Sequence, residues 1–193
     1  LELPAPAWER DVLPARIESY DPDALEALCL AGEVAWGRLA VTLPTNDEPT
    51  VLRRVRSRKL LTRAAPLAFF LRADRDVLLE PPPDGAGWRD DLSPAARDVL
   101  RHLEDSGASF LADIARGTGR LPVETEDALW ELVATGVVTG DGIAGLRTLL
   151  LPESKRKGPY RSGHLRAISA ASARRLMPVG RWAVLRDVRN END

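Results

Sequence analysis

At 193 residues and 21.1 kDa the chain has room for two small domains, or for one domain with appendages. Hydrophobic residues make up 44% of it, so a buried core is expected, and no apolar run approaches the ~18 residues of a membrane span. The formal net charge of −2 hides an uneven distribution, and the single cysteine, Cys29, excludes an internal disulfide and a cysteine zinc cluster.

No charged-then-apolar leader opens the sequence, so the cytoplasm is the expected compartment. Leu1 stands where a cytosolic chain normally has Met, and the lone methionine is Met177; an excised piece of a longer protein is expected. In chain order, the first helix opens at Asp21-Pro22, and the about twenty residues before it are too few for two further helices. It ends at Gly32 and passes into a strand over 33–42 that carries Val34-Ala35-Trp36. Cys29, between Leu28 and Leu30, is expected to pack inside. After a polar loop, Leu67–Leu71 and Val77-Leu78-Leu79 read as strands of a small sheet. Pro81-Pro82-Pro83-Asp84-Gly85 reads as a linker.

Ser93 and Pro94 then open a helix with an apolar stripe at Ala96, Val99, Leu100 and Leu103, closed by Gly107. A short helix is expected over Ser109–Arg116 with Phe110, Leu111 and Ile114 inward. The turn Gly117-Thr118-Gly119 and a third helix over Pro122–Thr135 follow. Gly140-Asp141-Gly142 suits the tight turn of a wing hairpin. Residues 153–176 lack apolar periodicity and are expected to be mobile, whereas Arg181–Leu185 reads as a returning strand.

The most informative feature is a repeat. Ala24-Leu25-x-x-Leu28-x-x-x-Gly32-x-Val34 recurs as Ala128-Leu129-x-x-Leu132-x-x-x-Gly136-x-Val138, with the leucines on one expected inward face. A helix that stops at Gly and turns straight into a short strand is how a winged helix leaves its third helix. The expected fold is therefore α+β, with tandem winged-helix units and small β-sheets. Its parts are a partial unit at 1–80, a linker at 81–91, a winged helix at 92–152, a basic mobile loop at 153–176, and a returning strand and tail at 177–193.

Charge singles out the candidate site. Arg53, Arg54, Arg56, Arg58, Lys59 and Arg63 form an acid-free run, and a second one carries Lys155, Arg156, Lys157, Arg161, Arg166, Arg174 and Arg175, with Tyr160 and His164 interleaved. Arginine makes bidentate phosphate contacts and stacks on bases, so these thirteen residues are the expected nucleic-acid contacts. A solvated face, or a surface for an acidic partner, is the competing use. By contrast, the third helix carries Glu124, Glu126, Asp127 and Glu131 with no base beside them, which would repel phosphates; it is not expected to read DNA. His102 is expected at the surface, and no histidine or thiol spacing suggests a metal. Asp90-Asp91 fit a helix-dipole role better than acid–base work. Trp36, Trp130 and Trp182 are expected in the core, with Trp8 and Trp88 at segment boundaries.

Local words extend the pattern. Trp8-Glu9, Val12 to Arg16, Tyr20, Leu25 through Gly32-Glu33-Val34-Ala35-Trp36, Gly107 to Phe110, Leu129 to Val133, Gly136 to Thr139 with Asp141, Leu146-Arg147 and Gly180-Arg181-Trp182 together resemble, in order, a block of the large helicase-related (Lhr) family. The resemblance implies superfamily-2, ATP-dependent helicases and translocases associated with DNA repair. Behind the motor they carry winged-helix accessory regions, some similar to winged-helix DNA glycosylases. The chain has no G-x-x-x-x-G-K-[ST] loop, Asp47-Glu48 lacks a preceding apolar strand, and there is no Gln for the glycosylase motif. The expectation is a non-catalytic, nucleic-acid-binding accessory region without a cofactor of its own, ATP and magnesium belonging to the motor. Expected partners are DNA or an RNA–DNA duplex, the motor domains of the same polypeptide and a homo-oligomeric copy, with no membrane. The alternative is a scaffold for self-association or for docking to the motor.

Overall fold

A computed structural model describes residues 1–42, 66–82, 86–150 and 180–186. The first unit begins with strand β1 (Leu3–Pro4), which leads directly into helix α1 (Ala5–Ala7) and a π-helical turn over Trp8–Val12. Helix α2 (Pro22–Leu30) is capped by the Asp21 side chain, which accepts from the Asp23 N–H at 2.9 Å, and has Pro at its first position. The chain leaves it through Gly32 at φ +78° and enters β2 (Val34–Gly37). Strand β3 (Pro66–Leu71) lies between the other two, giving an antiparallel sheet of order β1-β3-β2.

Two expectations for this unit need correction. Residues 77–79 are not a strand: a 3₁₀ turn (Arg72–Asp74) leads into helix α3 (Arg75–Leu78). On β3, β2 pairs with Ala68–Leu71 and β1 with Pro66 and Leu67, and Val77 is 89% exposed, so no buried face awaits a strand there. The strand expected over 33–42 covers only 34–37. Beyond it the chain runs along the end of another helix, with the Thr42 N–H donating to the Thr135 carbonyl at 3.1 Å.

The second unit is complete. Helix α4 (Pro94–Ser106) starts at Ser93, whose hydroxyl accepts from the Ala96 N–H at 3.1 Å, and stops at Gly107, φ +72°. There follow β4 (Ser109–Phe110), α5 (Leu111–Thr118), α6 (Pro122–Thr135), β5 (Val138–Gly140), α7 (Ala144–Leu150) and β6 (Arg181–Val184). The sheet order is β4-β6-β5, antiparallel throughout. Ser109 and Phe110 are thus strand rather than helix, and Phe110 points outward, 54% exposed, because pairing with β6 leaves the helix to start at Leu111. Nor does Gly140-Asp141-Gly142 close a local hairpin; α7 comes next, and β5 pairs with the distant β6.

The fold is α+β, and the two units share a topology. Strand, short helix, second helix, strand and strand follow in the same order, and both sheets run first–third–second. Gly32 and Gly136 both take the left-handed exit, at φ +78° and +86°. The expected pairing of leucines holds only in part. Leu129 and Leu132 are fully buried, whereas α2 buries Leu25 and Cys29 and leaves Leu28 40% exposed.

Between the units, β2 and β5 run past one another in opposite directions. Thr42 bonds to Thr135, and the Trp36 carbonyl accepts from the Thr139 hydroxyl at 2.6 Å. Trp36, 1% exposed, donates its indole N–H to the Gly142 carbonyl at 3.1 Å. The main hydrophobic core spans both units, continuous from Ala5, Leu25 and Leu67 through Trp36 to Leu132, Val138 and Trp182, and a smaller cluster gathers Ala35, Ala68, Phe70 and Leu185. Trp88, in a 3₁₀ segment over Ala86–Asp91, is also part of it, and Arg89 beside it is held by both oxygens of Glu104 at 3.1 and 2.9 Å.

Candidate nucleic-acid interface

All thirteen basic residues expected to contact nucleic acid lie outside the described residues, as do Asp47, Glu48, Tyr160 and His164. Their place in chain order is informative nonetheless. Arg53, Arg54, Arg56, Arg58, Lys59 and Arg63 fall between β2 and β3. Lys155, Arg156, Lys157, Arg161, Arg166, Arg174 and Arg175 fall between α7 and β6, hence between β5 and β6. Each unit therefore carries its basic stretch in the same connection, from the second strand to the third, which is the wing of a winged helix.

The roots of both connections are fixed by side chains: Arg38 reaches across to the second unit, Arg186 returns from the far end of the chain, and Asp141 and Arg181 close the second connection from within its own unit. For the first wing, the Arg38 guanidinium donates to the Ala134 carbonyl at 3.0 Å. Arg186, 5% exposed, donates to the carbonyls of Arg38 at 2.6 Å, Leu39 at 3.2 Å and Glu80. Burial lowers the Arg186 pKa, against the pull of Glu80 and Glu2. The last turn of α6 has no basic residue of its own, so these two arginines bring positive charge to its negative end from elsewhere.

For the second wing, the base is closed by the Asp141 N–H on the Arg181 carbonyl (2.9 Å) and by an ion pair between the same residues (2.8 Å). Helix α7 is clamped onto the first unit. Arg147 donates to both oxygens of Glu9 at 2.9 and 2.6 Å and to the Pro22 carbonyl at 2.7 Å, and lies 3.6 Å from Glu26. Glu26 in turn accepts from the Ile143 N–H at 2.9 Å, and the Tyr20 hydroxyl donates to Glu9 at 2.8 Å. Burial alone would raise the Glu9 carboxyl, but the bonds from Arg147 and Tyr20 outweigh it and hold it below the usual carboxylate range. Burial, and then Glu9, raise the Tyr20 phenol. The Cys29 thiol is pushed up to about 11, first by burial and then by Glu26.

The acidic helix α6 has structural uses for two of its carboxylates. Glu124 accepts from the Leu121 N–H at 3.2 Å and caps its own helix. Glu131 accepts from the Ser93 N–H at 2.7 Å, at the start of α4. Neither bond was visible in charge counting. His102 is half-buried rather than at the surface: its ring lies so close to Gly117 that a Cβ there would come within 2.5 Å of it. Asp90 is exposed, and its carbonyl accepts from Arg97. All five tryptophans are buried; Trp130 and Trp182 meet edge-on at 5.1 Å, and Trp8 bonds to the Leu67 carbonyl at 2.8 Å. The pocket between Trp36, Gly142, Leu146 and Trp182 has room for about one water. Among the described residues no cluster could hold a metal ion, and no helix is long and apolar enough to cross a membrane.

Comparison with known proteins agrees with this architecture. The model of the large helicase-related protein winged-helix domain matches residues 1–53. The chain is 31% identical over 163 residues to the Lhr helicase/probable uracil glycosylase of Mycolicibacterium smegmatis, a match covering 83% of this chain and 9% of that protein. It is 28% identical over 179 residues to the Lhr helicase/uracil glycosylase of Escherichia coli, covering 92% and 10% respectively. The chain is similar to proteins of the Lhr family. It spans about a tenth of the length of these curated relatives. Several of the Lhr-like words of the sequence are, in three dimensions, its joints: Glu9, Tyr20 and Arg147 form the clamp on α7, and Arg181 with Asp141 closes the second wing. Arg38 and Arg186, which serve carbonyls on distant segments, carry no local sequence signal.

Proposed function

We propose that this winged-helix region of the Lhr helicase family is a non-catalytic nucleic-acid-binding accessory that serves the motor of its own polypeptide in DNA repair. DNA, or an RNA–DNA duplex, is its ligand. One observation carries the reading: both acid-free basic stretches fall in the wing connection, one per unit. A wing is a loop that a rigid sheet presents at a fixed place, and arginines on it neutralise phosphates without reading bases. The carboxylates of α6 support the same reading from the other side, since two of them are engaged in capping and the helix offers phosphates no cation. The chain has no phosphate-cradling loop and no Gln, so ATP, magnesium and glycosylase chemistry belong to other parts of the polypeptide.

A salt titration of binding to single- and double-stranded DNA tests this. Each lysine or arginine that neutralises a phosphate releases a counterion, so every contact removed lowers the salt slope by about one. Arg54, Arg56 and Arg58 changed to Ala should weaken binding across sequences and flatten that slope. Arg156, Lys157 and Arg161 changed to Glu should do likewise. Glu126→Ala with Asp127→Ala should leave affinity level or slightly raised. If both basic sets bind as well as the parent while folded, the scaffold reading replaces this one.

A further inference from the structure

The two units differ by one helix. In the second, α4 lies against α6: Ala96, Val99, Leu100 and Leu103 share one core with Ala128 and Leu132, Glu131 accepts from the Ser93 N–H at the start of α4, and Thr135 follows one turn further along the same side of α6. Superposing Gly32 on Gly136 puts Ala24, Ala27, Leu28 and Ala31 of α2 at those places. On α6, three of the four are buried and Glu131 is half-buried; on α2 all four are exposed, Leu28 at 40%. The sheet shows the same gap. Leu71 pairs with Val34 as Val184 pairs with Val138, yet Val184 packs against the core while Leu71 is 57% exposed. Four uncharged residues in a row, beside an exposed leucine from a neighbouring strand, are the pattern of a buried helix face and not of a solvated one. Among the described residues nothing covers it.

We propose that this face of α2, with Leu71 beside it, seats an amphipathic helix of the same polypeptide from outside these 193 residues, the counterpart of α4. The second unit displays the occupant's chemistry. α4 turns Ala96, Val99, Leu100 and Leu103 inward, at i, i+3, i+4 and i+7, and runs two residues after its end into β4. The covering helix of the first unit carries the same apolar spacing and ends near β1, the counterpart of β4. The alanines at 24, 27 and 31 let its backbone come closer than Glu131 and Thr135 allow α4. The curated relatives, of which the chain spans 9% and 10%, have ample length from which to supply it. This inference stands independently of nucleic-acid binding.

The test is thiol protection in Leu28→Cys, read by the rate of maleimide labelling in residues 1–193 and in the full-length polypeptide. Native Cys29 is a built-in slow control, since it is buried and its thiol is pushed up to about 11. The new thiol should label at the rate of an exposed group in the isolated chain, and at least ~10-fold more slowly in the full-length polypeptide, where labelling must wait for the packed helix to open. As a second readout, Leu28→Asp should leave the melting temperature of residues 1–193 unchanged and lower that of the transition in which this region unfolds in the full-length protein. Equal labelling in both contexts overturns the proposal. So does protection in the isolated chain: independent of concentration, it means that other residues of this chain cover the face; rising with concentration, that a second copy does.

Discussion

Gly136 shows how one residue can be constrained twice. It ends α6 at φ +86°, where a side chain is strained, and a Cβ there would come within 2.8 Å of the Ala40 carbonyl. Gly119 ends α5 at φ +64° with nothing within 4 Å of the same atom. Gly119→Ala should therefore cost about 1–2 kcal/mol, the left-handed penalty alone. Gly136→Ala should cost more, because the backbone of the first unit must also move, and denaturant melts of the two variants measure the difference. At Glu9 the constraint is electrostatic. Its folded pKa lies below the unfolded value, so the clamp on α7 contributes stability above about pH 4.5 that is lost as pH falls through the folded pKa. Glu9→Gln should flatten that acid limb of the stability profile, and an unchanged profile would show that the clamp adds no pH-dependent stability.

At the scale of elements, periodicity was legible wherever an element buries one face against the core. The caps Asp21-Pro22 and Ser93-Pro94, the left-handed glycines and the stripe of α4 all stand as the sequence implies. What escaped reading depends on distant partners. Val77 and Leu78 have strand-like composition but no core to bury against and lie in a short helix, and Phe110 pairs with β6 across a long stretch of chain. Leu28 and Leu132 occupy the same place in the repeat, yet only the second has a helix over it, a difference that no local pattern encodes. The candidate site was legible as charge alone; that both stretches occupy equivalent connections emerges only with the sheet order. Burial makes the leucine difference measurable. Leu132→Ala should cost about 2–5 kcal/mol, and Leu28→Ala in residues 1–193 no more than about 0.5 kcal/mol. Comparable losses at the two sites would mean that the exposed face of α2 is already covered.

At the scale of the molecule, the two units are less separable than the Pro-rich stretch 81–85 suggests. Trp36 of the first unit lies in the same core as Leu132, Val138 and Trp182 of the second, and its carbonyl takes the Thr139 hydroxyl. Arg38 caps α6 across the boundary, Arg186 returns from the far end of the chain to bind carbonyls at 38, 39 and 80, and Arg147 anchors α7 on Glu9. Removing either unit would expose Trp36 or its cover, and removing the first would leave buried Arg186 without its acceptors, each a cost of several kcal/mol against a total stability of roughly 5–15 kcal/mol. Residues 1–193 should accordingly unfold in one cooperative step. Tryptophan emission, which reports all five buried indoles across both units, should give the same denaturant midpoint as far-ultraviolet circular dichroism. Trp36→Ala should move both midpoints together, although the substitution lies in the first unit. Two separated transitions in the parent protein, with Trp36→Ala shifting only one of them, would show that the shared core does not couple the units.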